Sequence, residues 1–346
     1  MRPRQVLEED ALGKKISHIQ FGVFSNAELE RLAEFEVTSD RAYEQPNRMP
    51  VVNGVLDRRL GISDKHNVCE TCNQRMQDCP GHYGYIKLEL PVYHIGYLKS
   101  TIAVLQCICK TCSRVLLKPE ERLKFLKTLN HPLTQQDNVR RAACFKRVVE
   151  RCKKTHECGH CGALNGLVKR VGCMRVVHEQ LGKQTGQNAE RFKRDFEATF
   201  ESAFGGSKGA FENPQLSGAE LAQLLPKAHD DINPLRARQL LRAIPDAELQ
   251  LLDMCVEGRP ENLLLDRLLV PPVALRPSVD AGPQGSNEDD LTVKLSEILT
   301  INNIIRNAME GGKATITNVV EDWEFLQLQC ALYLYATAAL KPSSGT

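Results

Sequence analysis

The stretch that decides the fold is "CETCNQRMQDCPGHYGYIKLEL", residues 69–90, in which a cysteine cluster runs directly into an apolar segment. Its candidate metal ligands are Cys69, Cys72, Cys79 and His82. Two ligands separated by two residues can reach one ion from a tight turn, and two such turns complete the tetrahedron that zinc forms with thiolate and imidazole. Gly81 permits the sharp turn before His82. The spacing predicts a structural zinc site, against the alternative of four buried or reactive side chains without a metal.

The composition favours metal ligation over disulfide bonds. The chain has 346 residues, enough for two or three domains, with 42% hydrophobic and 25% charged residues and a formal net charge of +2. Its first residues, "MRPRQVLEED", lack the apolar core of a signal peptide, and no run of about 18 apolar residues occurs. We therefore expect a protein that is neither secreted nor membrane-spanning, in which the 13 cysteines stay reduced.

A second pair of C-x-x-C motifs follows the first cluster. It consists of Cys109 with Cys112 and of Cys158 with Cys161, separated by residues 113–157. Together they offer four thiolates to one ion without rearrangement. Other potential ligands in the same region are Cys107, Cys152, His156 and His160. Neither predicted site leaves an open coordination position, so both zinc ions are expected to be structural rather than catalytic.

The first regular elements can be predicted from local patterns. Alternation in "HIQFGVF", residues 18–24, predicts a strand, and Ser25 with Glu28 in capping-box spacing predicts the start of a helix. The segment "GYIKLELPVYHIGYL", residues 84–98, predicts a strand that ends at Pro91, because proline cannot donate to a ladder.

Two segments with heptad spacing lie on either side of Gly311 and Gly312. Their seam positions are Leu291, Leu295, Ile298, Asn302, Ile305 and Met309, then Val319, Trp323, Leu326, Cys330, Tyr333 and Thr337. This pattern predicts an antiparallel coiled-coil hairpin over residues 288–340, with the polar Asn302 fixing its register. An ordinary helical hairpin packed on a core is the alternative.

The predicted fold class is α+β, mostly helical and irregular. The segment "LLVPPVALRPSV", residues 268–279, contains three prolines and is expected to be an extended loop rather than a central strand. Residues 182–217 are glycine-rich and polar, and we expect a helix flanked by mobile loops there. The predicted units are residues 1–108 with the first zinc site, 109–265 with the second site and a basic helical insertion, 266–287 as a proline-rich loop and linker, and 288–340 as the hairpin.

A basic stripe lies between the halves of the second site, in "RRAACFKRVVERCKK", residues 140–154. Its four proposed nucleic-acid contacts are Arg140, Arg141, Lys146 and Arg147. Such a stripe would bind phosphate in a salt-sensitive, sequence-independent way. A solvated helix face is the alternative.

Several of these segments resemble the N-terminal part of the largest subunit of cellular DNA-directed RNA polymerases. The resemblance lies in "GVLDRRLG", in residues 69–82 with the segment after them, in "LLVPPVALRPSV" and in "NEDDLTVKLSEIL". Two further segments, "KKISHIQFG" and "EDWEFLQLQCALY", resemble specifically the RNA polymerase III largest subunit. The resemblance spans roughly residues 12–335 and is weakest between about 180 and 230.

That resemblance implies a zinc-stapled clamp core and clamp head, which close over the DNA–RNA hybrid. It matches the first zinc site ligand by ligand and the second at Cys109 and Cys112, while the spacing of the last two ligands varies in the family. The hairpin matches the clamp coiled coil, where transcription factors dock, and its tip residues Glu310 and Lys313 are the predicted docking positions. Implied partners are DNA, the DNA–RNA hybrid, the second-largest and other RNA polymerase III subunits and initiation factors, in the nucleus and without a membrane.

The resemblance also implies an enzyme whose chemistry lies elsewhere. The magnesium-binding Asn-Ala-Asp-Phe-Asp-Gly-Asp motif of the family is absent from this sequence. No catalytic residue is therefore assigned, Mg²⁺ is expected only in the full-length subunit, and this segment alone is expected to be inactive in synthesising small RNAs of the tRNA and 5S rRNA type. The alternatives are the same segment of RNA polymerase II or I, or a free-standing zinc adaptor that binds proteins.

Overall fold

The computed structural model describes residues 16, 19, 22–64, 67–135, 137–179, 190–191, 194, 229–254, 258–280, 286–312 and 314–335. The glycine-rich segment 182–217 lies almost wholly outside these residues. None of the helices in the described part of the chain is long and apolar enough to span a membrane.

The described chain mixes helices and short strands with irregular segments. The helices are α1 (Asn26–Leu32), α2 (Leu98–Cys107), α3 (Pro119–Leu129), α4 (Pro132–Gln135), α5 (Asn138–Lys153), α6 (Pro234–Arg242), α7 (Asp246–Leu249), α8 (Asp290–Gly311) and α9 (Ile316–Leu334). The strands are β1 (Ala33–Glu36), β2 (Tyr43–Glu44), β3 (Met49–Pro50), β4 (Tyr83–Tyr93), β5 (Leu167–Val171), β6 (Arg175–Glu179), β7 (Asp230–Asp231), β8 (Leu264–Val270), β9 (Val279–Asp280) and β10 (Ser286–Asn287).

Strand β4 is the centre of a three-stranded sheet in the order β1–β4–β8. It pairs in parallel with β1 and antiparallel with β8, and it begins at the residue after His82. The prediction that this strand ends at Pro91 was wrong, because β4 continues to Tyr93. The register between β4 and β8 shifts between Lys87 and Val92, so the regular ladder is interrupted there. Pro91 lies in this interval, where its lack of an N–H group breaks no regular ladder bond.

The proline-rich segment also differs from its prediction at one end. Residues 268–270 were expected to lie in a loop but form the end of β8, whose last ladder pair is Val270 with Gly84. Two features explain this result: β8 lies at an edge of its sheet, and the prolines begin only at Pro271. After that the chain turns through a short 3₁₀ helix, Val273–Leu275.

At the N-terminal end, one prediction holds and one fails. Helix α1 begins with the predicted capping box, in which the Glu28 amide donates to Ser25 Oγ at 3.3 Å and the Ser25 amide donates to Glu28 Oε2 at 2.7 Å. No strand forms at the described residues of the segment 18–24, which are 19 and 22–24. The strand of this region is β1, which follows α1 and finds its partner in β4.

Helices α8 and α9 form the predicted hairpin and pack on the sheet. Leu295, Ile298, Leu326 and Cys330 are fully buried in one core with apolar residues of β4 and β8. The buried face is wider than a heptad seam, because it includes further positions: Leu299, Ile301 and Ala331. Over this length the hairpin is packed on a core, which is the alternative that the sequence left open.

Polar side chains of the hairpin bind the backbone of β4 where its regular pairing with β8 is interrupted. Asn302 Nδ2 donates to the Lys87 carbonyl at 3.0 Å, and Asn302 Oδ1 accepts from the Glu89 amide at 2.9 Å. Trp323 Nε1 donates to the Pro91 carbonyl at 2.9 Å. Asn302 therefore fixes the hairpin against the sheet rather than fixing one helix against the other.

The Arg276 side chain forms hydrogen bonds with three segments of the chain. Its guanidinium is fully buried and donates to the carbonyls of Val55 at 2.5 Å and Pro271 at 3.1 Å and to Thr292 Oγ1 at 3.0 Å. Burial lowers the pKa of Arg276 to about 10. The hydrogen bonds satisfy a buried cation through neutral oxygens and tie the proline-rich turn to the start of α8.

A second core surrounds the second C-x-x-C pair. It contains buried residues of α2, α5 and α6 together with Val168 and Val176 of the small sheet β5–β6–β7. Tyr93, the last residue of β4, belongs to this core, and its hydroxyl donates to the Ile232 carbonyl at 2.6 Å. Strand β4 thus contributes residues to both of these cores.

Candidate metal centres

The first cluster brings together the four ligands predicted from the sequence. One ligand atom from each of Cys69, Cys72, Cys79 and His82 lies within 4.8 Å of all the others. The two ring nitrogens of His82 have different surroundings. Nδ1 lies 3.5 Å from the Glu34 carboxylate, whereas Nε2 is buried without a hydrogen-bond partner. A buried polar atom without a partner costs free energy, so Nε2 is the nitrogen left for a cation.

The second cluster consists of Cys109, Cys112, Cys158 and Cys161, whose sulfur atoms also lie within 4.8 Å of one another. The Sγ atoms of Cys109 and Cys161 are 3.6 Å apart, as are those of Cys112 and Cys158. A tetrahedron with Zn–S bonds of about 2.3 Å has edges of about 3.8 Å, so the spacing suits one zinc ion. The competing thiols Cys107 and Cys152 are instead buried in the neighbouring core.

Three of the four ligand turns share one backbone geometry. In each, the amide four residues after the first cysteine donates to that cysteine's carbonyl, and the amide of the first cysteine donates to the carbonyl five residues on. The first bond joins Asn73 to Cys69 at 2.8 Å, Ser113 to Cys109 at 3.0 Å and Gly162 to Cys158 at 2.8 Å. Asn73, Ser113 and Gly162 all have positive φ, as a tight turn of this kind requires.

The fourth turn contains Gly81, and both the backbone conformation and the space available require glycine at this position. Its φ is +82°, and a Cβ atom built there would lie 2.6 Å from the Pro272 side chain. The absence of a side chain therefore lets the first cluster pack against the proline-rich turn.

The first cysteine of each cluster has a lowered pKa. Burial raises the pKa of Cys109, but N–H donors from Cys112, Thr111 and Asn165 outweigh it and lower that pKa to about 6. Burial likewise opposes a lower pKa at Cys69, where backbone donors again prevail. By contrast, burial raises the pKa of Cys112 to about 12 and of Cys79 to about 11. The second cluster therefore offers a thiolate at Cys109 as a first ligand for a cation.

Two residues that the sequence did not indicate lie beside the ligands. Glu34 is on β1 and faces His82, and Asn165 donates through Nδ2 to Cys109 Sγ at 3.4 Å. Neither residue belongs to a ligand motif. Glu34 is far in sequence from His82, and Asn165 is far in sequence from Cys109. Strand pairing and chain folding bring them there, so no local spacing could have identified them.

The structure divides the four predicted nucleic-acid contacts into two pairs. Arg140 forms an ion pair with Asp137 at 3.1 Å, and Arg141 forms one with Asp253 at 2.6 Å. Lys146 and Arg147 are exposed on α5 and form no ion pair with the described residues. Of the four residues, Lys146 and Arg147 are therefore the two whose charge no ion pair with a described residue offsets.

One of the two predicted docking positions lies at the end of the hairpin. Glu310 is exposed in the last turn of α8, and Lys313 lies outside the described residues. The chain around them is exposed from residue 309 to 312 and from 314 to 318, so this end extends past the sheet on which the hairpin packs.

A family model described as "RNA polymerase Rpb1, domain 1" matches residues 13–344. The chain belongs to this family, the largest-subunit family of DNA-directed RNA polymerases. Within it, the chain is 42% identical over 335 residues to the DNA-directed RNA polymerase III subunit RPC1 of Bos taurus and 41% identical over 332 residues to that of Dictyostelium discoideum. The Saccharomyces cerevisiae counterpart is 36% identical over 349 residues. These matches cover 95% to 96% of this chain but only 22% to 23% of the relatives.

Proposed function

We propose that the chain forms the clamp of the largest subunit of RNA polymerase III. In this role it holds template DNA and the DNA–RNA hybrid and docks transcription factors in the nucleus, beside the second-largest and other subunits. Nucleotidyl transfer and its Mg²⁺ belong to the full-length subunit. One observation carries the proposal: β4 begins directly after the first metal cluster, and the hairpin packs on β4. The cluster, the sheet and the hairpin therefore form one connected body, as a clamp requires.

The two clusters are proposed to hold one structural zinc ion each. Four protein ligands per ion leave no position for water or substrate, so the metal would supply folding free energy and no reaction chemistry. The orphaned Nε2 of His82 and the 3.6 Å sulfur pairs support this assignment.

Nucleic-acid binding is proposed at Arg140, Arg141, Lys146 and Arg147, with the larger share from the last two. Asp253 lies 2.6 Å from Arg141 and offsets its charge, whereas Lys146 and Arg147 are exposed and have no ion-pair partner among the residues that the structure describes. Such contacts would position phosphates without reading sequence.

Reversing the charge at Lys146 and Arg147 is expected to weaken duplex binding and flatten its salt dependence. Each lost phosphate contact should reduce the slope of log K against log salt by about 0.9. Fluorescence anisotropy between about 50 and about 200 mM salt measures this slope. The control reverses Arg31 and Arg48, two exposed arginines near the sheet. An unchanged slope in the Lys146/Arg147 variant would show that the stripe is only a solvated face.

Factor docking is proposed at the hairpin tip. Glu310→Lys and Lys313→Glu are expected to reduce capture of a purified RNA polymerase III initiation factor, while helicity and zinc content stay unchanged. A rigid tip suits docking because binding costs little ordering entropy. Glu324→Lys, exposed farther along α9, serves as the control. Normal capture by both tip variants would mean that the hairpin contributes packing alone.

The relatives named above are all RNA polymerase III subunits, which supports that enzyme over RNA polymerases II and I. A free-standing zinc adaptor is the second candidate, because both clusters are structural in kind. Purifying the endogenous protein decides between them. The second-largest polymerase subunit should co-purify in stoichiometric amount if the clamp proposal is right.

A further inference from the structure

We propose that Glu34 is a positioning residue for the first metal cluster. Its carboxylate would hold Nδ1 of His82, so that the other ring nitrogen faces the three cysteine sulfurs. This inference rests on the proposed zinc site and assigns to that site a residue from outside its ligand motif.

The contact between the two side chains is the first support. Glu34 Oε1 lies 3.5 Å from His82 Nδ1. His82 is largely buried, with 13% of its side chain exposed, whereas Glu34 is 47% exposed at the edge of the cluster. The described part of the structure gives Nε2 no hydrogen-bond partner, so the two nitrogens are divided between a carboxylate and the cluster.

The backbone holds both residues at this place. Strands β1 and β4 run in parallel, with Ala33 paired to Tyr83. Glu34 follows one member of that pair and His82 precedes the other. The His82 amide also donates to the Leu60 carbonyl at 3.3 Å. The carboxylate is therefore delivered by a strand of the sheet rather than by a mobile loop.

The chemistry of a histidine ligand explains why this contact matters. A neutral imidazole that binds a metal through one nitrogen carries a proton on the other, and that N–H group needs an acceptor. A carboxylate acceptor fixes the tautomer and the ring orientation and strengthens the ligand. The second cluster has no histidine among its ligands, and its corresponding neighbour is an amide donor, Asn165, which bonds to Cys109 Sγ.

The test compares Glu34→Ala and Glu34→Gln with a matched control, Glu36→Gln. Glu36 is on the same strand two residues farther along and is paired with Tyr85. The 346-residue chain is loaded with zinc, and release into a chromogenic chelator is followed over time. Cadmium-113 NMR of the cadmium-loaded chain distinguishes a three-sulfur, one-nitrogen site from a four-sulfur site and reports which of them changes.

Glu34→Ala is expected to accelerate release from the first cluster by about 10–100-fold and to move its cadmium resonance. Glu34→Gln should lie between Glu34→Ala and the wild type, because its amide oxygen accepts a hydrogen bond without the charge. Zinc release from the second cluster, and zinc release from the Glu36→Gln variant, should stay within about twofold of the wild type. This is far below the change expected when a histidine ligand loses the acceptor that orients it.

Unchanged first-cluster release in both Glu34 variants would overturn the inference and leave the proposed zinc site intact. Equal acceleration at both clusters would also overturn it, because general destabilisation would explain the result. If the first cluster does not bind zinc at all, the loading step will show it before any release is measured, because the wild-type chain will hold less than one equivalent at that cluster. The isosteric Glu34→Gln variant decides the question if Glu34→Ala does not fold.

Discussion

Replacing Cys72 by serine is expected to remove one zinc equivalent and to unfold the chain around the first cluster. The wild-type chain should contain close to two equivalents, one for each four-ligand set. Serine cannot replace a thiolate in this site, so the remaining three ligands would lose most of their affinity. Elemental analysis of the purified proteins measures the loss directly.

The expected effect is large because the metal replaces a core that this segment does not have. Structural zinc contributes about 10–16 kcal/mol of apparent binding free energy in small zinc-finger peptides at neutral pH. The total stability of an ordinary domain is only about 5–15 kcal/mol. Within residues 69–82, only Cys69 is fully buried, so few apolar contacts would hold this segment in place without a metal.

Hydrogen exchange locates the unfolding. Strand β4 begins directly after His82, and Gly81 packs against Pro272, so amides at the start of β4 and in the proline-rich turn should lose protection. The control is Cys173→Ser, at a half-buried cysteine outside both clusters, which should keep two zinc equivalents. A Cys72→Ser protein with full zinc content and unchanged protection would contradict the structural role.

The two groups of side chains that could hold a metal ion were predictable from the sequence, because a C-x-x-C turn is formed by neighbouring residues. Residues 69–82 contain a complete set, and the left-handed residues of the turns, such as Asn73, follow from the same short spacing. The pairing of Cys109 with Cys161 could only be inferred, because residues 113–157 lie between the halves. Glu34 was not predictable at all, since it reaches His82 through the pairing of β1 with β4.

Two differences between the predicted and the observed fold have the same cause, which is dependence on a distant partner. Pro91 would end a strand only where a regular ladder needs an N–H donor at that position, and the β4–β8 register shifts at that place. Asn302 looks like a seam residue in heptad spacing, yet its hydrogen bonds go to β4. Charge patterns have the same limit, because Asp253 neutralises Arg141 from more than a hundred residues away.

Introducing aspartate at Leu295 is expected to be the most damaging change in the hairpin. Leu295 is fully buried in the core that α8 and α9 share with the sheet. The substitution removes a buried leucine side chain, which alone costs about 2–5 kcal/mol, and it places a carboxyl group where water cannot reach it. We expect the protein to lose at least about 3 kcal/mol of unfolding free energy, together with helical circular dichroism.

Leu291→Asp is the matched control, because it makes the same change one helical turn earlier on α8. Leu291 is 38% exposed and lies in the first turn, where a negative charge interacts favourably with the helix dipole. Its effect should stay within about 0.5 kcal/mol in a urea titration, against a large shift of the midpoint for Leu295→Asp. Equal midpoints for the two variants would mean that the buried face of α8 does not hold the hairpin on the sheet. A large difference would locate that attachment at the level of Leu295, below the exposed tip that carries Glu310.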